Sequence, residues 1–249
     1  MNNVTIVVGS TDKYWRLWKP LIHGFYKYWP NCPWRKTIIT NFLDAPLELE
    51  SLKTGKDKSW GNNISKGLKQ LNTKYIIWVQ DDTWITGPVQ TDILKLFIDI
   101  IEKNGLLHIR LLPSALPDKG VVPERECKKV SQYNSRLWFF KYKAEFRSSI
   151  TIGIWLRKKF LEFTSVYKTP WEFEKETNKL IYGDNRYLCN NDPYVFPIGW
   201  YCNPYPNGKN TTMTRGKWHE SVYEYAKYEG LNIDFSVHPN GTPNEEYKK

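Results

Sequence analysis

The sequence predicts an α/β fold with a mixed, mostly parallel central sheet and helices on both faces. Two observations carry this. The chain opens on a strand, Val4-Thr5-Ile6-Val7-Val8, then gives a polar turn, an amphipathic helical stretch and a second strand at residues 36–40, a β-turn-α-β order. Further on, Tyr75-Ile76-Ile77-Trp78-Val79-Gln80 is an almost unbroken apolar run, the pattern of a strand covered on both faces.

Gly9-Ser10-Thr11-Asp12 follows the first strand and reads both as a tight turn and as a helix cap. Residues 13–28 place Tyr14, Leu17, Trp18, Leu21, Phe25 and Tyr28 on one helical face. Pro20 requires a kink or a break in that helix. The turn carries neither G-x-G-x-x-G nor a Walker lysine loop, which argues against dinucleotide and P-loop readings. Residues 47–58 are polar and read as irregular. Ser59 then caps a helix on which Trp60, Ile64, Leu68 and Leu71 recur. After the apolar strand and its Asp81-Asp82 ending, Gly87-Pro88 breaks the chain. A helix over 89–103 turns Val89, Ile93, Leu96, Phe97, Ile100 and Ile101 inward, with Asn104-Gly105 as its C-cap. Residues 106–112 read as a strand, placed at an edge because Pro113 ends it.

Residues 113–130 are rich in Pro, Lys and Glu, a long polar loop suited to movement or to facing an acceptor. Strands at 137–142 and 150–156 follow, then a helix at 157–167. Thr169-Pro170-Trp171-Glu172-Phe173-Glu174 reads as a helix start, with Thr169 as N-cap and Pro170 at the first position. Acids in that first turn complement the helix dipole. From Asp184 onward Pro, Gly, Asn and Tyr dominate, and no element is assigned. With no repeat and no linker, residues 1–249 read as one domain.

Composition narrows the function classes. The net charge of +10 favours an anionic partner, but no run of five or six Lys and Arg marks a nucleic-acid tail, so no nucleic-acid partner is expected. Aromatics make up 16% of the chain, with 12 Trp and 16 Tyr, a high share; some belong to the core, and exposed ones suit sugar-binding clefts and interfaces. Cys32, Cys127, Cys189 and Cys202 form no C-x-x-C pair, so zinc ribbons and redox motifs are not indicated. Free thiols, the lack of a leader and the lack of a long apolar span lead to a cytoplasmic expectation. The basic, aromatic surface is compatible with peripheral contact with an anionic membrane.

Asp81 and Asp82 carry the chemistry. In sheets of this kind ligands collect at the carboxyl ends of the strands. Adjacent carboxylates there repel each other and call for a cation, a donor group or solvent. Their hard oxygens suit Mg²⁺ or Mn²⁺, and those ions suit phosphate.

Taken in order, the strand followed by Ser-Thr-Asp, the aromatic helix, the helix capped at Ser59-Trp60, the strand ending in Asp-Asp and the late Pro-Trp-Glu-Phe-Glu resemble GT-A-fold glycosyltransferases. These use nucleotide-sugar donors, and the likeness is to the bacterial and viral ones that build lipopolysaccharide, capsule or surface glycans. The resemblance implies a GT-A-like (Rossmann-like) fold, with a nucleotide-sugar half over about 1–112 and an acceptor half over about 113–249. It implies a divalent metal, Mn²⁺ or Mg²⁺, on Asp82 first and Asp81 next, bridging the donor diphosphate. Gln80 stands where the strict motif has its first acid, and there implies a ribose contact. Donor contacts are implied for Gly9, Ser10, Thr11, Asp12, Asp57 and Trp60. Inverting members present a general base near the start of a late helix. Here that is Glu174, with Glu172 as the alternative. Arg215 and Lys217 are implied as diphosphate contacts and His219 as an additional metal ligand.

The resemblance thus implies transfer of a sugar from a UDP-, GDP- or dTDP-sugar to a glycan or lipid-linked glycan. Two other readings stand beside it. A nucleotidyltransferase needs a Gly-rich, basic phosphate loop after the first strand, and Gly9-Ser10-Thr11 is a poor one. A non-catalytic glycan- or nucleic-acid-binding protein also fits the charge and the aromatics.

Overall fold

The computed structural model describes residues 3–46, 49–112, 130–140, 142, 144, 147–198 and 212–244. The polar loop at 113–129, with Cys127, lies outside the described residues, as does Cys202. The elements in order are β1 (Val4–Gly9), a 3-10 helix (Asp12–Leu17), α1 (Trp18–Tyr28), β2 (Arg35–Thr40), β3 (Glu50–Lys53), α2 (Trp60–Lys69), β4 (Tyr75–Gln80), α3 (Thr91–Asn104) and β5 (His108–Arg110). They continue with β6 (Val130–Gln132), β7 (Leu137–Phe140), β8 (Gly153–Leu156), α4 (Arg157–Thr164), α5 (Pro170–Leu180), β9 (Tyr187–Asn190), β10 (Met213–Thr214), β11 (Lys217–Trp218) and α6 (Ser221–Glu229).

The main sheet runs β3-β2-β1-β4-β8-β5-β9-β7-β6. β3, β2, β1 and β4 are mutually parallel. β8 enters reversed between β4 and β5, and β7 is reversed between β9 and β6. Only these two strands oppose the rest, so the sheet is mixed and mostly parallel, Rossmann-like, with helices on both faces.

Alternation along the central strands feeds two cores, because successive strand side chains point to opposite faces. Ile6, Val8, Ile77 and Val79 join Leu21, Phe25, Leu94, Phe97 and Tyr225 on the face covered by α1, α3 and α6. Val7, Ile76 and Trp78 join Ile64, Leu68, Phe160 and Phe173 on the face covered by α2, α4 and α5. A strand clad on both sides needs no polar alternation, which is why 75–80 reads as a continuous apolar run.

Several expectations are corrected. The stretch 13–28 is a 3-10 helix to Leu17 that continues into α1 at Trp18 with helical dihedrals at both junction residues; the non-helical residue is Tyr14, and Pro20 falls in the first turn of α1, where its missing N–H has no partner to lose. Residues 47–58 are not all irregular, because Glu50–Lys53 adds an edge strand parallel to β2. Residues 106–112 are not at an edge; β5 lies between β8 and β9. Leu96 faces solvent, and α3 buries Leu94, Phe97, Ile98 and Ile101 instead. The unassigned last third supplies β9 and α6. Glu229 at the end of α6 accepts bonds from His23 Nε2, Lys27 Nζ and Tyr28 OH at 2.7, 2.7 and 2.6 Å, tying α6 to α1.

Candidate active site at the ends of β1 and β4

β1 and β4 run in register, Gly9 beside Gln80, so their exits lie together. The Asp81 amide continues the ladder by donating to the Gly9 carbonyl at 3.2 Å. Ser10 and Asp81 therefore leave adjacent strands side by side. The Ser10 hydroxyl donates to Asp81 Oδ2 at 2.5 Å, and Trp18 Nε1 donates to Ser10 Oγ at 2.8 Å. All three side chains are buried. Asp82 is half-buried and its carbonyl accepts the Thr212 hydroxyl at 2.6 Å, which brings the segment 212–219 to the same spot.

Among the described residues no Lys, Arg or His pairs with either aspartate. Burial pushes both carboxyls above the ordinary carboxylate value, and the Asp82 charge pushes Asp81 further. Tyr14 lies in the field of the pair. Its phenol is raised first by burial and then by the charges of Asp81 and Asp82. It sits in the 3-10 helix with off-helical dihedrals, φ −106° and ψ 21°. The sequence marked Tyr14 only as a face residue, and Trp18 and Thr212 not at all as site residues, because their link to the acids runs through tertiary contact.

Gly9 has a packing role. A Cβ there would lie 2.2 Å from the Trp78 ring. Trp78 Nε1 in turn donates to the Ile150 carbonyl at 2.7 Å. Glu174 on α5 reaches the same segment: its Oε1 accepts from Ser149 Oγ at 2.8 Å and from the Ile150 amide at 2.9 Å. Its Oε2 takes no protein bond among the described residues. β8 is antiparallel to β4, with Trp78 opposite Gly153. The residues just before β8 therefore lie at the end of the sheet where Asp81 emerges, and Glu174 is turned toward that end.

Glu172 is committed elsewhere. It closes a capping box with Thr169, its Oε2 accepting the Lys168 and Thr169 amides at 2.9 and 3.3 Å. Asp12 is likewise occupied: its carboxylate accepts the Asn41, Phe42 and Leu43 amides at 2.8, 2.8 and 3.1 Å, clasping the exits of β1 and β2. Thr11 is the extended residue before the 3-10 helix and makes no side-chain cap. Asp57 is exposed and accepts from Asn63 Nδ2 at 2.7 Å at the start of α2. Trp60 is half-buried and meets Phe173 of α5 edge-on at 5.5 Å. Gln80 is half-buried and its carbonyl closes the turn through the Thr83 amide.

Arg215 and Lys217 are exposed on the β10–β11 hairpin, whose two-residue turn holds Arg215 at φ 52° and Gly216 at φ 81°. Thr212, just before β10, reaches Asp82; no contact joins Arg215 or Lys217 to the acids. The His219 amide donates to the Thr212 carbonyl at 3.1 Å. Its Nδ1 accepts the fixed Ser221 amide, which places the proton of the neutral ring on Nε2. His219 thus presents an N–H donor, and among the described residues no three His, Cys, Asp or Glu groups gather as a metal-holding set.

No protein-family model matches the chain, and no curated protein does. Among solved structures, S. aureus TarS 1–349 is similar over 77% of this chain and 61% of its own length, at 14% identity and a TM-score of 0.45. TarS 1–349 has also been solved in complex with UDP and with UDP-GlcNAc. A UDP-glucose pyrophosphorylase complexed with UDP-glucose is similar over 92% of this chain and 100% of its own, at 10% identity and a TM-score of 0.47. A cytidylyltransferase from Leptospira borgpetersenii is similar over 92% and 96%, at 10% identity and a TM-score of 0.41. The chain spans about 61% of the TarS fragment. These likenesses concern fold, and the reading of the site rests on its own residues. No helix among the described residues is long and apolar enough to cross a membrane.

Proposed function

We propose that the chain is a glycosyltransferase that moves a sugar from a nucleotide-diphosphate donor to a glycan acceptor, with inversion. The observation that carries this reading is the Asp81-Asp82 pair at the β4 exit, Asp81 buried and Asp82 half-buried, with no basic partner among the described residues, and with Glu174 of α5 bonded to the segment before β8 at the same end of the sheet. Two hard carboxylates side by side suit a divalent cation, and Mg²⁺ or Mn²⁺ takes one or two carboxylates plus phosphate oxygens and water. Asp82 and Asp81 would hold it, and when bound it neutralises the leaving diphosphate. His219 offers Nε2–H to a phosphate oxygen, and Arg215 and Lys217 supply charge from the hairpin.

Glu174 is the base. Its Oε1 is fixed by Ser149 and Ile150, which leaves Oε2 for an acceptor hydroxyl. The acceptor oxygen bonds to the anomeric carbon while the bond from that carbon to the diphosphate oxygen breaks, the diphosphate leaving with the electron pair. The hydroxyl proton passes to Glu174. Glu172 cannot share this role without opening its capping box. Nucleotidyl transfer is the weaker reading, since the β1 turn holds Gly9 against Trp78 and offers no Gly-rich phosphate loop.

The test is a thermal-shift panel of UDP-, GDP-, dTDP- and CMP-sugars with and without Mn²⁺, on wild type and Asp82→Ala. One nucleotide should stabilise the wild type in a Mn²⁺-dependent way and Asp82→Ala should lose the shift. Absence of any nucleotide shift sinks the transferase reading. Release of pyrophosphate from a nucleoside triphosphate and a sugar phosphate would favour nucleotidyl transfer.

A further inference from the structure

Trp171 stands one turn before Glu174 and is 76% exposed. The core position next to it belongs to Phe173, which is fully buried against Trp60, Trp155, Phe160 and Phe163. Among the described residues nothing donates to Trp171, accepts from it or stacks on it. Yet the turn that carries it is pinned. Pro170 fixes the first backbone angle, and the Thr169–Glu172 capping box holds the next residues. A large indole is thus presented to solvent on a rigid turn, where folding makes no use of it.

Residues three apart on a helix have Cβ atoms about 5–6 Å apart, a gap that one sugar ring bridges. Helical side chains also lean toward the N-terminus, so Glu174 leans toward the turn that carries Trp171. We propose that Trp171 is the acceptor platform: its indole stacks on the C–H face of a pyranose of the acceptor glycan and so delivers a hydroxyl of that sugar to Glu174 Oε2. The flat apolar face and polar edge of indole match a ring whose C–H bonds face one way and whose hydroxyls ring its rim. This rests on the transferase reading and names the subsite that selects its acceptor.

The experiment uses the full chain, as wild type, Trp171→Ala and Trp171→Phe, on a glycan array of neutral and phosphorylated oligosaccharides. Each variant's melting shift with the UDP-, GDP- and dTDP-sugar panel and Mn²⁺ is measured in parallel. Trp171→Ala should lose about tenfold or more in glycan binding and Trp171→Phe should recover part of it. Melting temperature and nucleotide shift should stay at wild-type values in both. Glycan binding that survives Trp171→Ala, or wild type that binds no glycan, overturns the platform, as does loss of the nucleotide shift in Trp171→Ala. If glycan binding depends on Trp171 but wild type shows no nucleotide shift, the platform stands and the transferase reading fails.

Discussion

The Ser10 hydroxyl donates to Asp81 Oδ2 at 2.5 Å, across 71 residues of sequence, with Trp18 Nε1 bonded behind it at 2.8 Å. Hydroxyl and indole thus hold Oδ2 of Asp81 in place from behind the strand exit. A buried acceptor that loses its donor costs about 1–3 kcal/mol. Ser10→Ala should therefore lower stability by about that much and weaken Mn²⁺-dependent nucleotide binding, while Ser10→Thr, which keeps the hydroxyl, should restore the binding. Chemical denaturation and nucleotide titration read the two effects. Equal nucleotide affinity in wild type and Ser10→Ala would show that the orientation of Asp81 does not matter to the ligand.

The acid pair also sets a pH dependence. Both carboxyls are raised in the folded protein, first by burial. The folded state then binds protons more tightly than the unfolded chain over the interval between the two values. The contribution of the pair is fully present below the ordinary carboxylate pKa and is lost as pH rises through the raised folded values. Metal-free wild type should thus lose stability as pH rises from about 4 through the neutral range. Asp81→Asn should flatten that slope, and so should saturating Mn²⁺ on wild type. Urea unfolding at several pH values measures it, and a wild-type slope of the opposite sign contradicts the assignment.

What the sequence disclosed follows from how local each signal is. β1, β4 and the Ser59 and Thr169 caps were legible because each is written in a short run: an apolar stretch, or a hydroxyl residue three positions before the group it serves. β3 was missed because Glu50–Lys53 is a short edge strand with one buried residue, Leu52, and so has no pattern to detect. β5 was misplaced because Pro113 marks where a strand stops and does not report its neighbours. At the site, Asp81 and Asp82 could be singled out as acids at a strand end, while Glu174 was marked only through the family resemblance. The contacts that assign their oxygens, from Ser10, Ser149, Ile150 and Thr212, join residues far apart in sequence. The same distance hid the commitment of Asp12 to the amides of residues 41–43.

Gly61 sets the fit of α2 against its neighbours. A Cβ there would lie 1.8 Å from the Tyr167 carbonyl oxygen and 2.4 Å from that of Thr164, both backbone atoms that cannot swing aside. Gly61→Ala must therefore push α2 away from the α4–α5 connection, next to the Trp60–Phe173 contact. The expected cost is at or above the usual 1–3 kcal/mol of overpacking. Gly67→Ala meets side chain and not backbone, Ile39 Cγ1 at 2.7 Å and Cδ1 at 2.8 Å, and gains helix propensity, so it should cost less. Paired denaturation curves test the order, and Gly67→Ala proving the more damaging would contradict the packing described for α2.

Arg215 separates stability from function. It is the only non-glycine with positive φ among the described residues, at 52°, in the two-residue turn of β10–β11, where asparagine and glycine are the usual occupants. A side chain with a Cβ is strained there, and nothing in the described structure compensates, since the guanidinium forms no ion pair. Arg215→Asn should therefore stabilise the fold by about 0.5–1 kcal/mol. If the strained turn serves to hold a guanidinium near the donor diphosphate, the same substitution should raise the KM for the nucleotide sugar and flatten its salt dependence, because the screened charge is gone. Arg215→Lys keeps the charge but neither the fork nor the relief of strain, so it should recover part of the affinity with no gain in stability. A stabilised Arg215→Asn with wild-type KM would make Arg215 a turn residue only, and would leave Lys217 and His219 to meet the phosphate.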